Sequence, residues 1–203
     1  MQHLYLTRRL AILGAAATLG GCSALSSLND AATPIDTYDL APAPATSSGG
    51  GSGRTMLVAR PDAPAGIATD RIMVRSGPAA ITYLPDARWA DDLPAVVQSL
   101  LVRSIAGTGR MGYVGPSEGG PVPDLALLAR VDHFEVDVAG EAAQVRIAIS
   151  LTMLRDRDQS VLRTRAFFGR AIAASDLPAD VIAAFQSVLD RMLPEMAAWA
   201  TRG

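Results

Sequence analysis

The sequence predicts an α+β fold: a two-layer sandwich in which two helices pack on one face of a mainly antiparallel sheet. Three observations predict it. In "AAQVRIAISLTML", residues 142–154, Val145, Ile147, Ile149, Leu151 and Met153 alternate strictly with Gln144, Arg146, Ala148, Ser150 and Thr152. Period two with one polar face describes a sheet covered on one side. Two further stretches, residues 91–107 and 178–200, each carry a single apolar stripe at helical spacing, and such stripes must be buried against a sheet or another helix.

The chain opens with an export signal. Arg8 and Arg9 precede an uncharged run from Leu10 to Leu19, the basic, apolar, small-residue order of a secretory signal peptide. The run is shorter than the about 20 apolar residues that span a bilayer. Leu19-Gly20-Gly21-Cys22 resembles a bacterial lipobox, which implies cleavage between Gly21 and Cys22 and acylation of the thiol and of the new amino terminus with chains such as palmitate. Several acyl chains at about 0.8 kcal/mol per buried methylene hold a protein on a membrane, whereas one is marginal. Cys22 is the only cysteine, so as the anchor it leaves none for an intrachain disulfide. Ser23 follows it where an Asp would signal inner-membrane retention in enteric bacteria, so outer-membrane placement facing the periplasm is expected, with inner-membrane anchoring the alternative. Thr7-Arg8-Arg9 leaves the choice between Sec and twin-arginine export open.

Residues 22–53 read as the acylated terminus and a tether rich in Ala, Pro, Gly and Ser, and residues 54–203 as one domain. "TYDL", residues 37–40, is an island in the tether and reads as a candidate edge strand. If it docks, the tether shortens from 31 residues to 15, and its reach from roughly 30 Å to roughly 20 Å.

Three short strands, "TMLVARP" (55–61), "RIMVRS" (71–76) and "AAITYLP" (79–85), follow, split by Pro and Gly. The first helix opens with Asp91 or Asp92 as N-cap and Pro94 in its first turn, places Leu93, Val97, Leu100, Leu101 and Ile105 on one face, and ends at Gly107. "MGYVG" (111–115), "DLALLARVDHFEVDV" (124–138), the alternating strand above and "VLRTRAFFGRAI" (161–172) complete the sheet, with "RDRDQS" (155–160) as a hairpin turn. In residues 124–138 the apolar phase switches between Val131 and Phe134, which predicts a β-bulge. In residues 161–172, Leu162, Ala166, Phe168 and Ile172 share a face. The last helix carries Ile182, Phe185, Leu189, Met192, Met196 and Trp199, with Pro194 expected to kink it.

Composition excludes several chemistries. After cleavage 16 arginines face 20 acids, a formal charge of −4, which argues against a nucleic-acid partner. The chain contains no lysine, so it has neither a P-loop lysine nor a Schiff-base lysine. "GTGRMG", residues 107–112, matches a dinucleotide-binding pattern literally, but it follows a helix and precedes a strand. That order cannot aim a helix N-terminus at phosphate, so a helix C-cap is the expectation and no cofactor is. His133, Glu135 and Asp137 share a strand face at metal-compatible spacing, yet such alternation is also a solvated sheet face, and no metal is expected. A serine hydrolase would have to use His133, and no Gly-x-Ser-x-Gly elbow accompanies it. The arginines around the 155–170 hairpin are offset by Asp156 and Asp158, which reads as a solvated hairpin rather than a lipid-headgroup site.

Residues 70–109, "DRIMVRSGPAAITYLPDARWADDLPAVVQSLLVRSIAGTG", resemble the PqiC-like auxiliary lipoproteins of MCE-type (mammalian cell entry) ABC lipid transporters. The early Tyr38-Asp39-Leu40, the strand ending in Tyr83, Arg88-Trp89 and Leu100-Leu101 carry the resemblance, which extends over roughly Tyr38 to Trp199. It implies a non-enzymatic subunit working with an MCE-domain protein, a permease and an ATPase to move phospholipid between membranes. It also makes Tyr38, Leu40, Arg88 and Trp89 candidate partner-binding residues and leaves homo-oligomerisation open. An envelope assembly lipoprotein, pilotin-like or peptidoglycan-associated, is the alternative of a different class, and a periplasmic hydrolase a weaker one.

Overall fold

The computed structural model describes residues 35–46 and 51–202, so Gly21 and Cys22 lie outside the described residues. Eight strands form one curled, mixed sheet. They are β1 (Asp36–Tyr38), β2 (Ser52–Val58), β3 (Arg71–Arg75), β4 (Ile81–Trp89), β5 (Met111–Pro116), β6 (Leu125–Asp137), β7 (Gln144–Arg155) and β8 (Ser160–Ile172). Helix α1 (Leu93–Ala106) lies between β4 and β5, and α2 (Pro178–Ala200) closes the chain. The helices pack against each other and on the same side of the sheet.

The α+β class holds, but the expected antiparallel sheet is corrected to a mixed one. The pairs β3–β4, β6–β7 and β7–β8 are antiparallel, whereas β1–β4, β2–β5, β2–β6 and β3–β6 are parallel. Parallel neighbours need a crossover, and the path from β2 to β5 supplies one through α1. Strand β6 organises the sheet. Along one edge it pairs with β7 over its whole length; along the other its start pairs with β2 and its end with β3.

Local chemistry accounts for the element limits. Asp92 caps α1, its carboxylate accepting the Ala95 N–H, and Pro94 occupies the first turn. Asp92 is held below the usual carboxylate range: desolvation pushes it up, but the Ala95 N–H and Arg60 outweigh that. Strand β4 does not stop at Pro85. It continues to Trp89 through Asp86, whose φ is 55°, and the register against β3 shifts between Arg71 and Met73. The proline therefore falls in a bulge, one of the few places where a strand tolerates it. The phase change in β6 is likewise a bulge between Val131 and His133, which keeps both Val131 and Phe134 in the core. Helix α2 runs through Pro194. Of its expected stripe only Ile182 is half-buried; Phe185, Leu189, Met192, Met196 and Trp199 are buried.

The face of β8 shared by Leu162, Ala166, Phe168 and Ile172 is the outward one. Phe167 is buried, whereas Phe168, at 76 % exposed, Ile172 and Leu162 face outward. Two interactions set this phase. Gly169 lies so close to Val188 and Met192 of α2 that a Cβ there would overlap them, and Arg163 and Arg165 reach Ala200 O and Glu195 on the same helix.

Candidate functional site

Tyr38, Leu40, Arg88 and Trp89 meet at one place, the junction of β1 with β4. Asp36, Thr37 and Tyr38 lie opposite Ala87, Arg88 and Trp89. The junction is locked from both sides, because the Ala90 N–H donates to Tyr38 O and the Trp89 N–H to Asp70 O. Arg88 Nε donates to Thr37 Oγ1 at 3.1 Å. Beyond β1 the chain runs over the helices: the Ala41 N–H donates to Gln186 Oε1, the Ala43 N–H to Ser104 Oγ and the Thr46 N–H to Gly107 O. The compact unit accordingly begins at Asp36 rather than Arg54.

Leu40 and Trp89 are each 2 % exposed. Trp89 meets Phe134 and Phe185 edge-on at 5.7 and 5.2 Å between ring centroids, and those two rings stack at 4.9 Å. This trio joins β4, β6 and α2 and is core, since aromatic groups at such distances add to their burial. Buried side chains cannot touch a partner, so Leu40 and Trp89 shape the fold. Tyr38, which is half-buried, and Arg88, which is exposed, remain at the surface.

On the opposite face of the sheet, His133, Glu135 and Asp137 do project together, but the expectation of a solvated row fails at Glu135. This carboxylate is 1 % exposed. Arg75 of β3 grips it with two bonds of 3.1 Å, His133 Nδ1 lies 3.1 Å from Oε1, and Arg146 of β7 lies at 3.8 Å. Arg146 also donates to Asp137 at 3.1 Å. The bond to Glu135 raises the Arg75 guanidinium above its ordinary value against the opposing effect of burial. The Ala139 N–H, ahead of Arg146, holds Asp137 below the usual carboxylate range. Pro64, Gly66 and Ile67 close over Glu135 around a cavity of about 220 Å³. With both oxygens engaged, Glu135 is a structural counter-ion for two arginines. Sequence reasoning missed Arg75 and Arg146 as its partners. The signal was there in part, since Arg146 lies opposite Glu135 in the antiparallel register.

"GTGRMG" ends α1. The Thr108 hydroxyl donates to Ile105 O, Gly109 takes a φ of 64°, and a Cβ at Gly112 would strike the backbone of Gly53. Its glycines serve a turn and a close strand approach. Among the described residues no three His, Cys, Asp or Glu side chains gather as metal ligands. No helix among them is long and apolar enough to cross a membrane.

A mixed sheet backed by two helices, with its N-terminal strand docked on β4, defines a small α+β module whose signature residues are structural. The chain belongs to the family of ABC-type transport auxiliary lipoprotein components, whose model matches residues 38–197. This is the PqiC-like family that the Tyr38, Trp89 and Leu100-Leu101 positions resemble, and membership makes the protein a membrane-anchored, envelope-associated lipoprotein linked to ABC-type transport. The fold is similar to a crystal structure from Xanthomonas campestris assigned to family DUF330, at a TM-score of 0.71 and 26 % identity over 81 % of this chain and 94 % of that one. A second crystal structure, of an uncharacterised protein, is similar at a TM-score of 0.62 and 16 % identity over 81 % and 95 % of the two chains. No curated protein matches the chain.

Proposed function

We propose that this lipoprotein is a non-enzymatic accessory subunit of an MCE-type ABC transporter. In this reading Cys22 is acylated and anchors the chain in the outer membrane facing the periplasm. The folded domain works with an MCE-domain protein, a permease and an ATPase to pass phospholipid between the two membranes and so maintain the envelope. The observation that carries it is the family match over residues 38–197. The site chemistry is in keeping with a role without catalysis, because the one histidine among the described residues, His133, is tied to a carboxylate that two arginines already neutralise.

Affinity capture of the tagged full chain from solubilised membranes tests the assignment. The MCE-domain protein, permease and ATPase are expected to co-purify; an anchored chain that captures none of the three overturns it. The anchor is tested separately by feeding cells an alkyne palmitate analogue. Wild type is expected to label and Cys22→Ser is not, and equal labelling refutes acylation at Cys22.

A further inference from the structure

One row of residues crosses five strands at a single end of the sheet: Ile81 of β4, Arg75 of β3, Asp137 of β6, Gln144 of β7 and Ile172 of β8 lie opposite one another in turn. Helix α2 runs antiparallel to β8, with Val188 and Met192 against Gly169 and Ala200 at Arg163, so its start and the preceding Leu177 lie at this end too. Three turns, residues 76–80, 138–143 and 173–177, form the rim beyond the row. Backbone bonds fasten them: the Ser76 N–H donates to Ala80 O, the Val138 N–H to Arg75 O and the Ala173 N–H to Ala143 O.

The rim is apolar and nearly uncharged. Ile81, Val138, Ile172 and Leu177 are all exposed, and the charged residues of the three turns are Glu141 and Asp176 alone. At the opposite end Val161 and Leu162 are exposed as well, but the hairpin beside them carries Arg155, Asp156, Arg157 and Asp158 in succession. A lipid interface accepts aliphatic side chains, whereas taking such a run of charges out of water is costly.

The chain enters the fold from the apolar end. Strand β1 is parallel to β4, which starts at Ile81 and runs away from the rim. Asp36 opens β1 opposite Ala87, and the next residue of β4, Arg88, faces Arg71, four residues from Arg75. At about 3.3 Å per residue, β1 therefore starts roughly 13 Å from the row. The charged hairpin is farther. Counted the same way along β6, His133 is level with Arg71, and eight more residues lead to Leu125, which faces Arg155, a rise of roughly 26 Å. The 13 residues 23–35 that separate Cys22 from β1 are rich in Ala and Ser, and a tether of that length reaches about 5–6 Å times the square root of its residue number, or roughly 20 Å. That reach covers the distance to the rim and falls short of the hairpin.

We propose that the rim bearing Ile81, Val138, Ile172 and Leu177 docks on the lipid surface of the membrane that holds the anchor. The proposal rests on acylation of Cys22 and adds an orientation to it: the sheet stands on its apolar end, and the charged hairpin of residues 155–159 points away from the membrane. Glu141 and Asp176 make the fitting surface a zwitterionic one, because anionic headgroups repel both carboxylates. Exposed aliphatic side chains gathered on a rigid rim are what such a surface buries.

Cys22 is the only cysteine, so once its thiol is acylated a single introduced cysteine can carry an environment-sensitive fluorophore. Full-length acylated chains bearing Ile81→Cys, Ile172→Cys or, in the hairpin, Arg157→Cys are labelled and reconstituted into phosphatidylcholine vesicles. All three positions are exposed, so the substitutions spare the core. The labels at 81 and 172 are expected to shift their emission to the blue and to lose intensity when doxyl-labelled phosphatidylcholine is added, while the label at 157 keeps its emission in water. Unchanged emission at 81 and 172, or quenching as strong at 157, overturns the docking. A blue shift that the doxyl lipid does not quench shows the rim covered by a second copy of the chain and overturns it as well. Flotation separates this reading from the anchor: chains that fail to float with the vesicles lack the anchor and take the proposal down with it, whereas chains that float without quenching keep the anchor and overturn the rim alone.

Discussion

Leu40→Ala tests whether the segment from Asp36 to Thr46 is held mainly by one side chain. Leu40 is 2 % exposed, and truncating a leucine so buried costs about 2–5 kcal/mol. The rest of the segment hangs on a short parallel pairing with β4 and on single bonds from Ala41, Ala43 and Thr46. Each such bond contributes about 0.5–1.5 kcal/mol net, and ordering each residue costs about 1–2 kcal/mol. Hydrogen bonds alone therefore cannot keep these 11 residues docked. Loss of the leucine is expected to release the segment rather than leave a cavity under it. At roughly 3 kcal/mol, and about 2–4 °C per kcal/mol for a domain of this size, Tm falls by roughly 6–12 °C. Hydrogen exchange read by NMR should show the Ala41, Ala43 and Thr46 amides losing protection while those of β6 and β7 keep theirs. A fall below about 2 °C, or a large fall with those three amides still protected, refutes the reasoning.

Glu135→Ala leaves Arg75 and Arg146 facing each other without their shared counter-ion. Because the two arginines are 26 % and 28 % exposed, the cost is set below that of a fully buried pair, at about 2–3 kcal/mol, and Tm measured by circular dichroism should fall by roughly 4–12 °C. Asp92→Ala removes the cap of α1 and should cost about 1 kcal/mol in a denaturant titration; no change would mean that Pro94 alone sets the helix start. Asp92 and Asp137 both titrate lower in the folded state than in the unfolded chain. Their ionised forms therefore add stability above the unfolded value of about 3.9, and that stability is lost as pH falls through the folded values. The Asp92→Asn/Asp137→Asn variant should show a shallower decline of Tm between about pH 4 and pH 2, and an unchanged slope would contradict the shifts.

Patterns along one element were legible; pairings between distant elements were not. The bulge before His133 could be read because a change of apolar phase within one strand needs no knowledge of its neighbours. The cap at Asp92 and the turn at Gly107 are local for the same reason. The parallel pairs β2–β6 and β3–β6 join strands far apart in the chain, and alternation does not say which strand lies beside which. Hydropathy could not give the inward face of β8, because the more apolar face, that of Leu162, Ala166, Phe168 and Ile172, is the outer one. The phase was decided by what α2 presents, namely room only for Gly169 and acceptors for Arg163 and Arg165. Glu135 misled because an acidic residue alternating with apolar ones looks the same whether water or two arginines neutralise it.

The residues that carry the family resemblance and those able to touch a partner are mostly different residues. Leu40, Trp89, Leu100 and Leu101 are buried, and they hold β1 on β4 and α1 on the sheet. A resemblance resting on such positions reports shared architecture and leaves open what the chain presents outside. Losing partner capture in a Trp89 variant would report unfolding of the Trp89–Phe134–Phe185 trio before it reported contact. Specificity within the family has to be written on exposed groups that the motif does not constrain. In this chain those include Arg88 beside β1, Phe168 and Ile172 on the outer face of β8, and Arg202 just after α2. Substitutions there leave the core intact, so their effects on partner or ligand binding can be read without a folding defect confounding them.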